Sequence, residues 1–259
     1  MYKFVKEYEK PIIPESEFLI IAGPCSVESE DQLMEMANFL LENNVKYMRA
    51  GAFKPRTNPH TFQGFGNAGL EILKKVKNKT GIKIVTEIID KNDIPYYVEN
   101  VDIIQVGARN MQNFPLLKAL GKTNVPILLK RGFGATVEEL LYAAEYILAE
   151  GNNKVILCER GIKTFETSTR TTLDISSVPV INNITKLPVI VDPSHSAGRS
   201  DIVRPLARAA VAVGSSGLIV EVHNDPTEAL SDGEESISFE EFKRLLNDVR
   251  KIHSVMLEK

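Results

Sequence analysis

Four residues, far apart in the chain, are of types that bind divalent metal ions: the thiol of Cys25, the imidazole of His195 and the carboxylates of Glu221 and Asp232. Arg49, Lys54, Arg56, Arg109, Lys130, Arg131 and Arg160 form a second set, all cationic. Arg presents a fork that matches phosphate and carboxylate, and Lys a compact charge. Gathered at one place these side chains would repel one another unless a polyanion filled the space. They therefore point to a small substrate, or a pair of substrates, with several negative charges. No local spacing joins either set, so each depends on the elements that carry it.

Short apolar runs alternate with longer amphipathic stretches along the whole chain. The runs at 18–22, 46–50, 83–87, 102–106, 126–130, 154–158, 188–191 and 217–222 read as strands buried on both faces. Residues 29–44, 136–149 and 238–252 carry the i, i+3, i+4 apolar stripe of half-buried helices, and 67–79, 113–120 and 203–213 are weaker versions. Ser29 with Gln32, and Thr136 with Glu139, fit capping boxes. Eight strand–helix units in 259 residues favour one (β/α)8 TIM barrel over residues 18–259. An open doubly wound sheet is the runner-up, but Gly-Pro-Cys-Ser-Val-Glu after the first strand is not a dinucleotide fingerprint. Residues 1–17 are expected to be a strand or hairpin at the closed end of the barrel.

Barrel enzymes keep their chemistry at the C-terminal ends of the strands. Those ends hold Cys25, Arg49, then Lys54 to Thr57, Thr86-Glu87, Ala108-Arg109, Lys130-Arg131, Glu159-Arg160, Asp192 to His195, and Glu221 with Ser231-Asp232 beyond it. The bland readings stand beside this one. A lone cysteine after a strand is more often a small buried residue, and a lone arginine there an ion pair. Cys158 reads as core, and Arg131, alternating with Lys130, as facing the other side of its strand. His60, His253 and the Glu234-Glu235 pair read as solvated, and His223, two residues past Glu221, as a support for the metal set. Convergence outweighs any single member, because strand ends have no structural reason to be cationic so often.

Composition narrows the function classes. The net charge of −3 excludes a generally basic nucleic-acid binder, and the cations lack aromatic interleaving. Two cysteines cannot form a disulfide framework. No apolar run approaches the roughly 18 residues of a membrane span, so a cytoplasmic protein with no membrane or nucleic-acid partner is expected.

Six motifs in order resemble the 3-deoxy-D-arabino-heptulosonate 7-phosphate synthase family, in its short type I-beta class: Ile-Ala-Gly-Pro-Cys25-Ser-Val-Glu-Ser, Gly51-Ala-Phe-Lys54-Pro-Arg56-Thr57, Gly107-Ala-Arg109-Asn, Asp192-Pro-Ser-His195, Val220-Glu221-Val-His and Ala229-Leu-Ser-Asp232. The resemblance implies a (β/α)8 barrel that condenses phosphoenolpyruvate with erythrose 4-phosphate, the first step of the shikimate route. It implies one divalent ion (Mn, Fe, Zn or Co) on Cys25, His195, Glu221 and Asp232. It places Arg49, Lys54, Arg109, Lys130 and Arg160 on phosphoenolpyruvate, and Arg56 and Thr57 at the phosphate of erythrose 4-phosphate. Glu87 and Ala108 count with the substrate-binding residues, and Lys54, Cys25 and His195 with the catalytic ones. Asn58 stands where relatives commonly carry Ser. A homo-oligomer, dimer or tetramer, is expected, and the regulatory domain of many relatives is not.

The nearest alternative is the sister synthase that makes 3-deoxy-D-manno-octulosonate 8-phosphate from arabinose 5-phosphate. It typically carries Asn-Arg-Ser-Ser where this chain has Lys-Pro-Arg-Thr. A Schiff-base aldolase using Lys54 or Lys130, and a non-catalytic phosphosugar-binding barrel, are further alternatives.

Overall fold

The computed structural model describes residues 12–14, 17–56 and 58–258. Its strands are β1 (Leu19–Gly23), β2 (Tyr47–Arg49), β3 (Lys83–Glu87), β4 (Ile103–Val106), β5 (Ile127–Lys130), β6 (Val155–Glu159), β7 (Val189–Val191) and β8 (Gly217–Glu221). Each end lies within one residue of the sequence expectation. Neighbours pair in parallel in chain order, and β1 pairs with β8 from Leu19↔Gly217 to Gly23↔Glu221, which closes the barrel and excludes the open sheet.

The helices are α1 (Glu30–Glu42), α2 (Asn67–Thr80), α3 (Ile94–Asn100), α4 (Phe114–Gly121), α5 (Val137–Leu148), α6 (Ser177–Ile184), α7 (Pro193–Ala197), α8 (Val203–Ala212) and α9 (Phe239–Leu257). The Thr136–Glu139 box forms with both arms. At α1 the Ser29 hydroxyl accepts from Gln32 N–H at 3.0 Å. No helix among the described residues is long and apolar enough to cross a membrane.

Side chains alternate between the two surfaces of a strand. One surface packs under the helices. The other fills the barrel with Ile21, Val85, Ile103, Leu128, Ile156, Cys158, Ile190 and Ile219, and Ile13 packs against this inner set from the lead. Cys158 is thus core, as its sequence suggested. Residues 1–11, 15 and 16 of the lead lie outside the described residues, and with them the strand or hairpin expected there. His253, expected to be solvated, instead lays its ring 5.1 Å from that of Phe18.

The same alternation turns Arg131 out of the barrel. Its Nη1 lies 2.8 Å from both Glu159 Oε2 and Asp174 Oδ2, on the helix side of the sheet. Removing one member of a buried pair strands the other charge in a poorly solvated place, at about 3–5 kcal/mol. Arg131→Ala is therefore expected to lower the unfolding free energy by about that much in urea titrations. A loss under about 1 kcal/mol, the surface-pair value, would contradict the placement.

Candidate active site

A residue two positions beyond an inward apolar residue again points inward. Arg49 follows Tyr47 in this way, Glu87 follows Val85, Gln105 follows Ile103, and Lys130 follows Leu128. Arg160 follows Cys158, Asp192 follows Ile190 and Glu221 follows Ile219. The barrel is therefore apolar below and charged at its C-terminal mouth.

Arg49, Lys54, Arg56, Arg109, Lys130 and Arg160 line this mouth with Glu87, Gln105, Ala108, His195 and Asp232. Phe133 and Arg170 also line it, and neither was singled out in the sequence. The guanidiniums of Arg109 and Arg160 lie over the Phe133 ring, 5.3 and 4.5 Å from its centre. Stacking of this kind fixes the plane of a guanidinium, and Arg160 Nη2 also donates to the His195 carbonyl at 3.1 Å. Glu87 fits beneath because residue 107 is glycine: a Cβ there would stand 2.0 Å from Glu87 Oε1. Thr57 lies outside the described residues.

The second set meets beside the mouth. Donor atoms of His195, Glu221, Asp232 and Glu235 all lie within 4.8 Å of one another, a group that could hold a metal ion. Cys25 Sγ donates to Asp232 Oδ2 at 2.8 Å and lies 3.0 Å from Ser231 Oγ. Lys54 Nζ donates to Cys25 Sγ at 2.8 Å and to its carbonyl at 3.1 Å. Arg56 reaches both Asp232 oxygens at 3.3 Å and also donates to Ser231 Oγ. Arg49 Nη1 donates to Glu221 Oε1 at 2.5 Å, while Glu221 Oε2, fully enclosed, has no hydrogen-bond partner among the described residues.

His195 is set by the turn before α7. The Asp192 carboxylate caps that turn by accepting the His195 backbone N–H at 2.9 Å. Its Oδ2 lies 2.7 Å from His195 Nδ1 and 2.5 Å from Lys130 Nζ. The ring is thereby turned so that Nε2 faces Glu221 Oε1 at 3.3 Å.

Two expectations need correction. Glu235 is not solvated. It is 3% exposed, and Arg170 Nη1 donates to its two oxygens at 2.8 and 2.6 Å. Its sequence signal is its position three residues past Asp232, one tight turn away. His223 does not support the metal set. β8 ends at Glu221, so the strand alternation stops, and His223 turns to Glu28 and Gln32.

Burial and charge set the protonation states. Burial pushes the His195 imidazole down to about 4 against the pull of Asp192, so it is neutral near pH 7. Burial, then the Glu221 charge, pushes the Cys25 thiol up to about 12. The same two causes push Glu235 up to about 9. Burial also presses Asp192 upward, but the charges of His195 and Lys130 outweigh it and hold the carboxyl well below the usual range. Lys54 is lowered by burial but raised more by Cys25 and Glu221, and stays protonated.

A closed parallel barrel whose cationic mouth adjoins a cluster of metal-ligand side chains is a (β/α)8 enzyme with its chemistry at the strand C-termini. Residues 9–258 match the DAHP synthetase I family, and the chain belongs to it. It is 57% identical over 235 residues to a phospho-2-dehydro-3-deoxyheptonate aldolase of Thermotoga maritima, covering 91% of this chain and 70% of that one. The crystal structure of a Thermotoga maritima protein of that name (DAHP synthase) superposes with a TM-score of 0.91 at 56% identity, over 94% of this chain and 72% of the other. A 2-dehydro-3-deoxyphosphooctonate aldolase of Legionella pneumophila (strain Corby) is 32% identical, over 91% of this chain and 92% of its own.

The protonation states predict how the chelator-treated chain depends on pH. Below about pH 6.5 the unfolded chain protonates its histidine while folded His195 resists to about 4, so the His195 contribution to stability grows as pH rises across that interval. Glu235 acts oppositely. Its folded carboxyl keeps up to about 9 a proton that the unfolded chain loses from about 4.5, so its contribution is lost as pH rises between those values and offsets that of His195 up to about 6.5. Thermal melting in EDTA is expected to be level from about pH 4.5 to 6.5 and to fall from there to pH 9. Glu235→Gln should flatten the alkaline side, and an unchanged slope in that variant would refute the assignment.

Proposed function

We propose that this chain condenses phosphoenolpyruvate with D-erythrose 4-phosphate and water to give 3-deoxy-D-arabino-heptulosonate 7-phosphate and phosphate, the first step of the shikimate pathway. The observation that carries this reading is the seat of Lys54 and Arg56. One contacts Cys25 and the other Asp232, so their segment joins the cationic mouth to the donor cluster. Two anionic substrates placed on either side of it would meet there. The eight-carbon product is not favoured: the relatives named for it are 30–32% identical, against 57% for the heptonate aldolase. A Schiff-base mechanism is disfavoured too. A lysine nucleophile needs a depressed pKa, whereas that of Lys54 is raised and Lys130 is ion-paired to Asp192.

In this reading Arg49, Lys54, Arg109, Lys130 and Arg160, beside Ala108, hold the carboxylate and phosphate of phosphoenolpyruvate. Arg56 and Thr57 take the phosphate of the aldose. The methylene carbon of phosphoenolpyruvate attacks the aldehyde carbon, and Lys54 Nζ, protonated and beside the donor cluster, gives a proton to the new hydroxyl. Water adds to the neighbouring carbon, and Glu87, a carboxylate of the mouth, receives its proton. Phosphate then leaves by C–O cleavage.

Cys25, His195, Glu221 and Asp232 would hold the divalent ion (Mn, Fe, Zn or Co). The residues fit: the imidazole is neutral, and Glu221 Oε2 is a buried acceptor without a partner. Such an ion, when bound, supplies Lewis acidity at, or orients, the aldehyde oxygen. Coordination would also reverse the balance at Cys25, whose thiol is held protonated by burial. A cytoplasmic homo-oligomer, dimer or tetramer, completes the reading.

The deciding assay measures phosphate release from phosphoenolpyruvate with erythrose 4-phosphate or arabinose 5-phosphate. Turnover is expected with the first, its loss in EDTA and its recovery with Mn2+. Full turnover in a demonstrably metal-free preparation would sink the metal assignment, and preference for arabinose 5-phosphate the choice of product. Arg160→Ala removes charge-assisted hydrogen bonds worth about 1.5–3 kcal/mol, so kcat/KM for phosphoenolpyruvate should fall by about 10–150-fold with the melting temperature little changed.

A further inference from the structure

We infer that Glu235 is a further oxygen donor to the divalent ion, held in place by Arg170, and that it tilts the site toward oxygen-seeking ions such as Mn2+ over thiol-seeking ones such as Cd2+. The inference rests on the metal reading proposed above. Backbone geometry comes first. Asp232 adopts φ +53°, a left-handed conformation that a non-glycine residue takes up only at a cost, and it opens the 3-10 turn Gly233–Glu235. The turn closes with the Glu235 N–H donating to the Asp232 carbonyl at 3.3 Å, and the donor atoms of the two side chains come within 4.8 Å of each other. Gly233 permits the tight path, since a Cβ there would stand 2.3 Å from the Pro226 carbonyl oxygen.

The side chain of Glu235 is then fixed. A single nitrogen of Arg170 straddles both of its oxygens, which leaves each oxygen a lone pair. Oε1 stands 3.9 Å from His195 Nε2, and the donors of Glu235, His195, Glu221 and Asp232 form one group. Glu221 belongs to this group, and its Oε2, on a residue 1% exposed, is a buried acceptor with no hydrogen-bond partner among the described residues, an independent sign that the cluster suits a cation. A neutral imidazole and carboxylates suit a hard ion.

Cys25 also meets Asp232. Its sulfur contacts Asp232, Ser231 and Lys54 and is not among those four donors. The site thus offers, around Asp232, both a soft donor and an extra hard donor. Ions of different softness should weigh the two sides differently.

Calorimetric titration of the full, chelator-stripped chain with Mn2+ and with Cd2+ tests this directly. Glu235→Gln is expected to weaken Mn2+ binding about 10–100-fold and Cd2+ binding less than about three-fold, with Cys25→Ser showing the reverse order. Arg170→Gln, which leaves the donor in place but unheld, should weaken Mn2+ about ten-fold. Glu235→Asp, which keeps the charge and shortens the reach, gives the same reading should the Gln variant not fold, with a Mn2+ loss expected there too. Unchanged Mn2+ affinity in the Glu235 variants, or equal losses for both ions, overturns the inference. A wild-type chain that binds neither ion overturns the metal reading itself, and is told apart because no variant is needed to see it.

Discussion

A strand returns a side chain to the same face every two residues, and in a closed barrel one face has nowhere to go but inward. The strand-borne half of this site follows from that constraint. Five inward positions that are isoleucine, valine or leucine near mid-barrel (Val85, Ile103, Leu128, Ile190 and Ile219) are followed by Glu87, Gln105, Lys130, Asp192 and Glu221 at the mouth. The apolar layer excludes water from below, which strengthens each charge–charge contact above it. It also makes every unpaired charge there expensive.

That expense explains the pairing. Arg49 is bonded to Glu221, Lys130 to Asp192, Arg56 to Asp232 and Arg170 to Glu235. The cations of the mouth are therefore not held apart waiting for a polyanion, as their sequence alone implied. Four of them are balanced one by one by carboxylates of the adjoining cluster. Buried pairs of this kind contribute little net stability against apolar replacements. Their value here is geometric, because each pair ties a cation of the mouth to a carboxylate in or beside the donor cluster, so the two groups are positioned together.

The fold was legible because buried strands announce themselves. All eight were visible within a residue of their ends, and the longer helices carry caps and a 3.6-residue stripe. Residues 94–100, 177–184 and 193–197 carry no helical stripe that could be read from sequence, since helices of eight residues or fewer show little periodicity and each holds a proline. The strand-borne site residues were legible for the same reason as the strands. Of those beyond the strands, Cys25, Lys54, Arg56, Arg109 and Asp232 were legible through motifs, and three others were not. Phe133, Arg170 and Glu235 owe their positions to turn geometry and to contacts far off in sequence, such as Arg170 with Glu235. His223 shows the converse: a period of two was extended past the last paired residue of β8, where it no longer applies.

Asp192 is the residue through which the two halves of the site are coupled. One of its oxygens, Oδ2, is shared by Lys130 Nζ in the mouth and His195 Nδ1 at the donor cluster, while Oδ1 caps the turn that carries His195. An anion drawing Lys130 toward itself would lessen the charge that Lys130 shares with Asp192. More of the carboxylate's negative charge would then fall on the imidazole, raising its basicity as a ligand. The same argument runs backward, since a cation drawing on His195 would loosen the hold of Asp192 on Lys130 and free that ammonium for an anion. Reciprocity of this kind is a thermodynamic necessity once two ligands share one intermediary. In the proposed reading, an anionic substrate and a cationic ion at adjoining places would thus be coupled through a single carboxylate at the end of β7, and a change in either half would be felt by the other.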